Sequence, residues 1–528
     1  MPTRRDFLKE AAAVSFLAAS PPVLSGAVES KSFDVLQSRL RKLASELGLP
    51  GFVAGVVRDG KLDMVQAEGF ADLEQRTPMR RDHIFYVASL TKTFTAVMMM
   101  QYVQEKKIAL DDYVLDYPFL IDGFTPSRMA GPNIRLKHAL SHTSEGTPGD
   151  NFIYNGGRYN FVYGVFEKMS GNTHHFDAVA QEFKNRIAEP LGLKSTLSGY
   201  PTDATDPRIQ RIVKTYLVDE SHPKAARDTS APNGTEQWPA SGLLTTVDDL
   251  AQYMHALDEY TLISQESYSV MTQPFVLNDG RKSPYALGWS TQVIGGQAVH
   301  WAYGYDDPYS ALLIRVPEKK VSFILLCNCG AASAPFFLGY GNLLTSPFAV
   351  SFLREALPGT MQDADDAYAG VFLRQFTASI SGSGKDTVRQ LVKQLKSETP
   401  DRFRKSDRSL IYVLSEASDP SLDEEMEMLV KAYEESRDFH PEVDLAIANY
   451  HKRAGDSNRY LSRLHRIADR PGYSDERSTR DACIQLGAAL LDQGQAEGRK
   501  YLWMAVQYGQ AAGANTATLE EIVAKMRR

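Results

Sequence analysis

Two stretches of this chain constrain its fold more than any others, because each reads as an antiparallel hairpin. The first is GFVAGVVRDGKLDMVQAEGFAD (51–72), two β-rich runs joined at Arg58-Asp59-Gly60. Asp-Gly is the turn signal there, since the type I′ hairpin loop that it favours needs positive φ at both central positions. The second is YSALLIRVPEKKVSFILLCN (309–328), two apolar runs around Pro317-Glu318-Lys319-Lys320. Residues 284–330 as a whole are rich in strand patterns. Helical spacing appears elsewhere. FDVLQSRLRKLASELG (33–48) has it, and so does the segment after Ser89, where Phe94, Val97, Met98 and Tyr102 recur at the helical period. A helix therefore begins near Ser89.

The 528 residues leave room for about two to four domains. Beyond residue 355 the pattern becomes mostly helical, with charged faces and few strand signals. Two segments there, ANYHKRAGDSNRYLSRLHRIAD (448–469) and LLDQGQAEGRKYLWMAVQYGQAAG (490–513), each read helix, glycine-containing turn, helix. They suggest either a repeat module of the tetratricopeptide kind or an unrelated helical bundle. Such a region could serve a protein partner. Net charge is −7 with no lysine- or arginine-rich block, which argues against a nucleic-acid partner. Three cysteines make no disulfide framework; Cys327 and Cys329, two apart on a strand, read as buried thiols.

The N-terminus, TRRDFLKEAAAVSFLAASPPVLSGA, has two arginines, a short apolar run and a small-residue exit at Ser25-Gly26-Ala27. That order is a secretory signal over 1–27, and Thr3-Arg4-Arg5-x-Phe7-Leu8-Lys9 resembles the twin-arginine signal of bacteria. The expectation is export to the periplasm or beyond. The apolar run is too short to span a bilayer comfortably, so no stable membrane span is expected.

Chemistry enters at FYVASLTKTFTAV (85–97). A serine hydroxyl is a weak nucleophile until a base takes its proton. Lys92 lies one helical turn beyond Ser89 on the same face. Burial would lower its pKa and free the neutral amine to act as that base. The helix N-terminus would add positive potential where an oxyanion forms. Such pairs also arise by chance, as at Ser221-His222-Pro223-Lys224, where the proline spoils the helix. Taken alone, Ser89 reads more readily as a helix cap than as a nucleophile.

Further segments, in order, carry a resemblance. They are IRLKHALSHTSEG (134–146), FIYNGGRYNFVYGVFEKMSG (152–171), ASGLLTTVDDLAQYMHAL (240–257) and YALGWS (285–290). Together with VASLTKTFTAV they resemble the serine β-lactamase, penicillin-binding protein and esterase superfamily, in its class C β-lactamase-like branch, over about residues 30–350. The resemblance implies an α/β (α+β) fold: an antiparallel sheet flanked by helices, with a mostly helical insertion, occupying 28–354. An all-α domain follows over 355–528. It implies Ser89 as nucleophile, Lys92 as base and Tyr154 as the phenol that passes a proton to the leaving group. The usual asparagine of the second motif is replaced by Gly156, with Asn155 adjacent.

The family's third motif, cationic in many members, falls without gaps on Ala302-Tyr303-Gly304. Gly304 would let substrate approach the strand, and the N–H groups of Ser89 and Tyr305 would form the oxyanion hole. Ala302 supplies no cation; His300, two residues back on the same face, is the candidate substitute. A gapped placement at His300-Trp301-Ala302 loses the glycine. Without that cation, an ester, amide or small acylated substrate fits better than a β-lactam. The implied function is an exported serine hydrolase acting through an acyl-enzyme on a small-molecule or peptide substrate, without cofactor. Two rivals are a degenerate module that binds peptide or peptidoglycan ligands without turnover, and a scaffold whose C-terminal helices do the binding. His138 and His142 have metal-ligand spacing but lack the glutamate of His-Glu-x-x-His, so no metal is expected.

Overall fold

The structure is a computed structural model and describes residues 33–118, 133–172, 177–218, 223–225, 236–381, 385–470 and 476–511. The signal expected at 1–27 lies outside the described residues. Helix α1 (Asp34–Leu47) leads into the first hairpin, β1 (Gly51–Arg58) and β2 (Lys61–Asp72). At its turn, Asp59 and Gly60 have φ of 47° and 75°, the pair of positive values that the Asp-Gly signal calls for. A Cβ on Gly60 would stand 2.1 Å from His255 Nδ1, so only glycine fits.

A short β3 (Thr77–Pro78) follows. Four late strands complete the sheet: β4 (Ser290–Ile294), β5 (Gln297–Asp306), β6 (Tyr309–Val316) and β7 (Val321–Cys327). The order is β3-β2-β1-β7-β6-β5-β4, with every adjacent pair antiparallel. Both hairpins are as expected, and β1 docks on β7 with Phe52 opposite Cys327. Strand alternation divides the core in two. Val53, Val57, Ala302, Leu313, Ile324 and Leu326 face one layer, and Phe52, Val56, Trp301, Leu312, Ile314, Phe323 and Leu325 face the other. Burial on both faces explains why these strands read as near-continuous apolar runs.

The first layer holds α2 (Thr91–Gln104) and α3 (Val247–Asp258). Helix α2 is enclosed on almost every side, so that Lys92, Thr93 and Thr95 are as buried as Phe94 and Met98. The second layer holds α1 and α4 (Pro347–Ala356), and it does not stop there. The composition change near 355 falls inside α4, not at a linker. The same core runs on through α5 (Asp363–Ser381), α6 (Lys385–Glu398), α7 (Arg408–Ala417), α8 (Asp423–Glu435) and α9 (Pro441–Arg453). Helices α10 (Ser457–Ala468), α11 (Glu476–Asp492) and α12 (Gly498–Ala511) follow. The two helix–turn–helix units seen in the sequence are α9/α10 and α11/α12; α7/α8 is a third hairpin before them. Helices α7, α9 and α11 touch in succession, with starts spaced by about the 34 residues of one tetratricopeptide unit.

Candidate active site

Ser89 sits in the single 3₁₀ turn Ala88–Leu90 that leads into α2. Ala88 before it has φ of 41°, a left-handed conformation that costs a non-glycine residue about 1 kcal/mol. This strained turn faces β5. A Cβ on Gly304 would lie 2.0 Å from the Val87 carbonyl oxygen, so strand and turn approach only because residue 304 has no side chain. Pairing between β5 and β4 ends at Trp301 with Ser290, and residues 302–306 form the edge that meets the turn. Ala302, Tyr303 and Gly304 of the ungapped placement lie on this edge, whereas His300 and Trp301 lie back within the paired part of the strand.

Lys92 Nζ is 2.7 Å from Ser89 Oγ and donates to the Ala240 carbonyl at 3.1 Å. Its side of the site is walled by aromatic rings: Tyr154 and Tyr159 have centroids 5.0 and 5.5 Å from the nitrogen. Lys92 is 1% exposed, and burial brings its pKa down to about 7. Near neutrality a large fraction is therefore free amine. Ser89 itself is only partly covered, so the amine is dry while the hydroxyl stays accessible.

The Tyr154 hydroxyl is joined by hydrogen bonds to Ser89 and Tyr303, and burial pushes its pKa well above that of a free phenol. It remains protonated, which suits an acid better than a base. The segment carrying it has no regular secondary structure and is held from His142: Ile153 N–H donates to the His142 carbonyl at 3.0 Å, and Asn155 N–H donates to His142 Nδ1 at 3.1 Å. The His142 ring lies 4.2 Å from the Tyr154 ring, and burial with Lys92 nearby holds it neutral. His138 Nδ1 likewise accepts a backbone N–H, that of Arg135 at 3.2 Å.

Two sequence expectations need correction. Asn155 does not face the site. Its Oδ1 caps the short helix Gly156–Tyr159 by accepting from Arg158 N–H, and its Nδ2 donates to Glu145 at 2.7 Å. Glu145 and Arg158 are a buried ion pair at 3.1 Å, which fixes the amide's direction. His300 does not replace the missing cation. Its Nδ1 is 2.9 Å from the Tyr268 hydroxyl, and burial beside Arg315 lowers its pKa to about 3, leaving a neutral ring. Position 156, by contrast, does face the lysine: a Cβ there would lie 3.7 Å from Lys92 Nζ. Tyr303 lines the site through its bond to Tyr154. Tyr305 is 40% exposed, with its hydroxyl on Asp307 at 2.5 Å.

Residues not anticipated are Tyr159, whose hydroxyl donates to the Lys92 carbonyl at 3.1 Å, Tyr285 and the Ala240 carbonyl. Each belongs to a segment already noted for its resemblance, so position along the chain was the one available signal. A cavity of about 380 Å³ is lined by Phe152, Tyr340, Arg408 and Asp438 among others, and not by Ser89, Lys92 or Tyr154.

A Ser-x-x-Lys pair stands at the head of a buried helix, beside the open edge of an antiparallel sheet and facing a tyrosine, an arrangement suited to acyl transfer. The model of the Beta-lactamase family matches residues 36–338, and the chain belongs to that family. Among curated relatives it is similar to D-aminopeptidase of Brucella anthropi, 24% identical over 381 residues, 65% of this chain and 67% of that protein. It is also similar to penicillin-binding protein 4* of Bacillus subtilis (strain 168), 24% identical over 303 residues, 49% of this chain and 64% of that protein. The chain thus spans about two thirds of the length of the curated relatives it matches. Among solved structures it resembles an octameric penicillin-binding protein homologue from Pyrococcus abyssi. The TM-score is 0.53 at 20% identity, over 64% of this chain and 81% of that one, a likeness of fold.

Proposed function

We propose that this protein is a serine hydrolase that cleaves an ester or amide bond through an acyl-enzyme. One observation carries the reading: a desolvated amine, its pKa near 7, sits 2.7 Å from a partly accessible serine hydroxyl. The free amine of Lys92 takes the Ser89 proton as Oγ attacks the acyl carbon. The N–H groups of Ser89 and Tyr305 receive the oxyanion at the junction of turn and strand. Tyr154, protonated and bonded to Ser89, delivers a proton to the leaving group. Water, activated by the same pair, then releases the acyl group.

The substrate side is neutral in character. Position 302 is alanine, His300 is uncharged, and no amide reaches Lys92 from position 156. A small ester or a peptide-like amide fits this better than a substrate anchored by its carboxylate. The D-aminopeptidase relative agrees with amide cleavage. The N-terminal Thr3-Arg4-Arg5 pattern supports export by the twin-arginine route, and no helix among the described residues is long and apolar enough to cross a membrane.

Labelling with a fluorophosphonate probe tests the proposal. The intact protein is expected to label at one site and Ser89→Ala to lose all labelling. A protein that neither labels nor hydrolyses short p-nitrophenyl esters is a binding module instead.

A further inference from the structure

Tyr154 belongs to the sheet-bearing part of the chain, yet the residues that fix its segment on one side come from the C-terminal helices. Arg408, the first residue of α7, donates from its guanidinium to the Phe152 carbonyl at 2.8 Å. The same guanidinium forms a two-pronged pair with Asp438, which lies between α8 and α9; its Nε is 2.7 Å from Oδ2. The cation also lies over the Phe152 ring, 5.7 Å from its centroid. Asp438 reaches back to Arg281 of the first part at 3.5 Å. Next along the chain, Ile153 is buried in a core made of Phe439, Ala448, Tyr460 and Leu464. Tyr154 follows immediately. On the far side of the tyrosine wall, the Tyr340 hydroxyl donates to Glu442 of α9 at 2.5 Å.

The backbone around Tyr154 therefore has two sets of anchors. His142 holds the N–H groups of residues 153 and 155, and the helical region holds the carbonyl of 152 and the side chain of 153. A segment outside regular secondary structure has no ladder of its own to fix its torsions, and a shift of about 1 Å at a reacting group can cost on the order of a hundredfold in rate. Phe152 transmits the clamp further. Its ring stacks on Tyr285 at 5.9 Å, and Tyr285 meets Tyr154 edge-on at 5.9 Å.

We infer that the C-terminal helices are a working part of the active site, and that Arg408 is a positioning residue that sets the Tyr154 hydroxyl against Ser89. The inference rests on the proton-transfer role proposed for Tyr154. It predicts a loss of turnover without a matching loss of affinity, since the clamp holds the backbone at Phe152, two residues before the tyrosine, and acts on the reaction only through Tyr154.

The full-length protein is tested on an unactivated ethyl ester, whose alkoxide leaves readily only when it is protonated, as Arg408→Met, Arg408→Lys, Tyr154→Phe and the double variant R408M/Y154F. R408M is expected to lower kcat by roughly 10- to 100-fold with KM nearly unchanged. Arg408→Lys should recover part of that loss, because an ammonium can bond the Phe152 carbonyl or Asp438 but cannot fork across both. R408M should add little once Tyr154 is already phenylalanine, the signature of two residues acting through one group. Full kcat in R408M, or losses that simply multiply in the double variant, overturns the inference while leaving Tyr154 in its role. Full kcat in Y154F overturns the tyrosine reading, and the positioning role falls with it. Should R408M fail to fold, Arg408→Lys decides alone: its kcat must fall at an unchanged Tm, and not multiply with Y154F.

Discussion

At the scale of the residue, Lys92 is the base of the proposed reaction, and its dryness costs it its proton. Its pKa falls to about 7 because the helix that holds it is enclosed, not because a neighbouring cation repels it. Below that value the amine is protonated and cannot accept from Ser89, so the acylation rate should fall as pH drops through about 7 and level off above it. A pH–rate profile on a neutral ester checks this, and an inflection near 10 would refute it. The sign for stability follows from the same shift. Between pH 7 and 10.5 the unfolded chain holds a proton that the folded one has released, so stability should rise with pH across that window. Lys92→Met should abolish acylation and flatten that rise, as read from urea melts at pH 7 and 9. Gly156 offers a gain-of-function counterpart. An asparagine there would place an amide beside Nζ, in ordinary contact at the Cβ, and Gly156→Asn should raise the ratio of amide to ester turnover several-fold. An unchanged ratio would show that position 156 does not select the substrate.

At the scale of the element, the site exists where a strained turn meets a strand that has run out of partners. Residues 302–306 lie past the end of the β4 pairing, and Gly304 lets the Val87 carbonyl close against them. Gly304→Ala would push a Cβ into that carbonyl at 2.0 Å, which forces turn and strand apart. The expected result is a loss of at least about a hundredfold in kcat/KM, with a lower Tm; an active, stable G304A would mean that turn and strand are not jointly required. This junction was only half legible beforehand. The glycine could be aligned, and its face on the strand followed from period two. The neutrality of His300 could not, because Arg315 and Tyr268 reach it from other elements. Asn155 failed for a similar reason: Glu145 and the cap of a four-residue helix claim its side chain.

At the scale of the whole molecule, the hydrolase fold and the helical region share one core. The face of the sheet bearing Trp301, Leu312 and Phe323 is covered by α1, α4 and the helices that follow, as far as Val443, Ile447 and Tyr450 of α9. A chain ending at residue 354 cuts α4 and strips that face. A free-standing hydrolase domain over 28–354 would keep its activity on small esters. The shared core predicts otherwise, namely that this truncation is insoluble or unfolded, and circular dichroism with ester assays on the purified fragment decides between them. The cause of the discrepancy lies in what a sequence displays: a change of composition marks where strands stop, but it does not show which surface the next helices cover.

The sequence alone determined both hairpins, the helix that begins at Ser89 and the placing of a hydroxyl and an amine one turn apart. These depend on turn chemistry and on periods of 2 and 3.6, which are local and readable in order. The tertiary structure decided the rest. It brought Tyr154 to Ser89, dried the lysine, turned Asn155 away, left His300 uncharged and carried Arg408 to the Phe152 carbonyl. Each of these is a matter of what lies within a few ångströms in space, and burial and partnership are set by segments far apart along the chain.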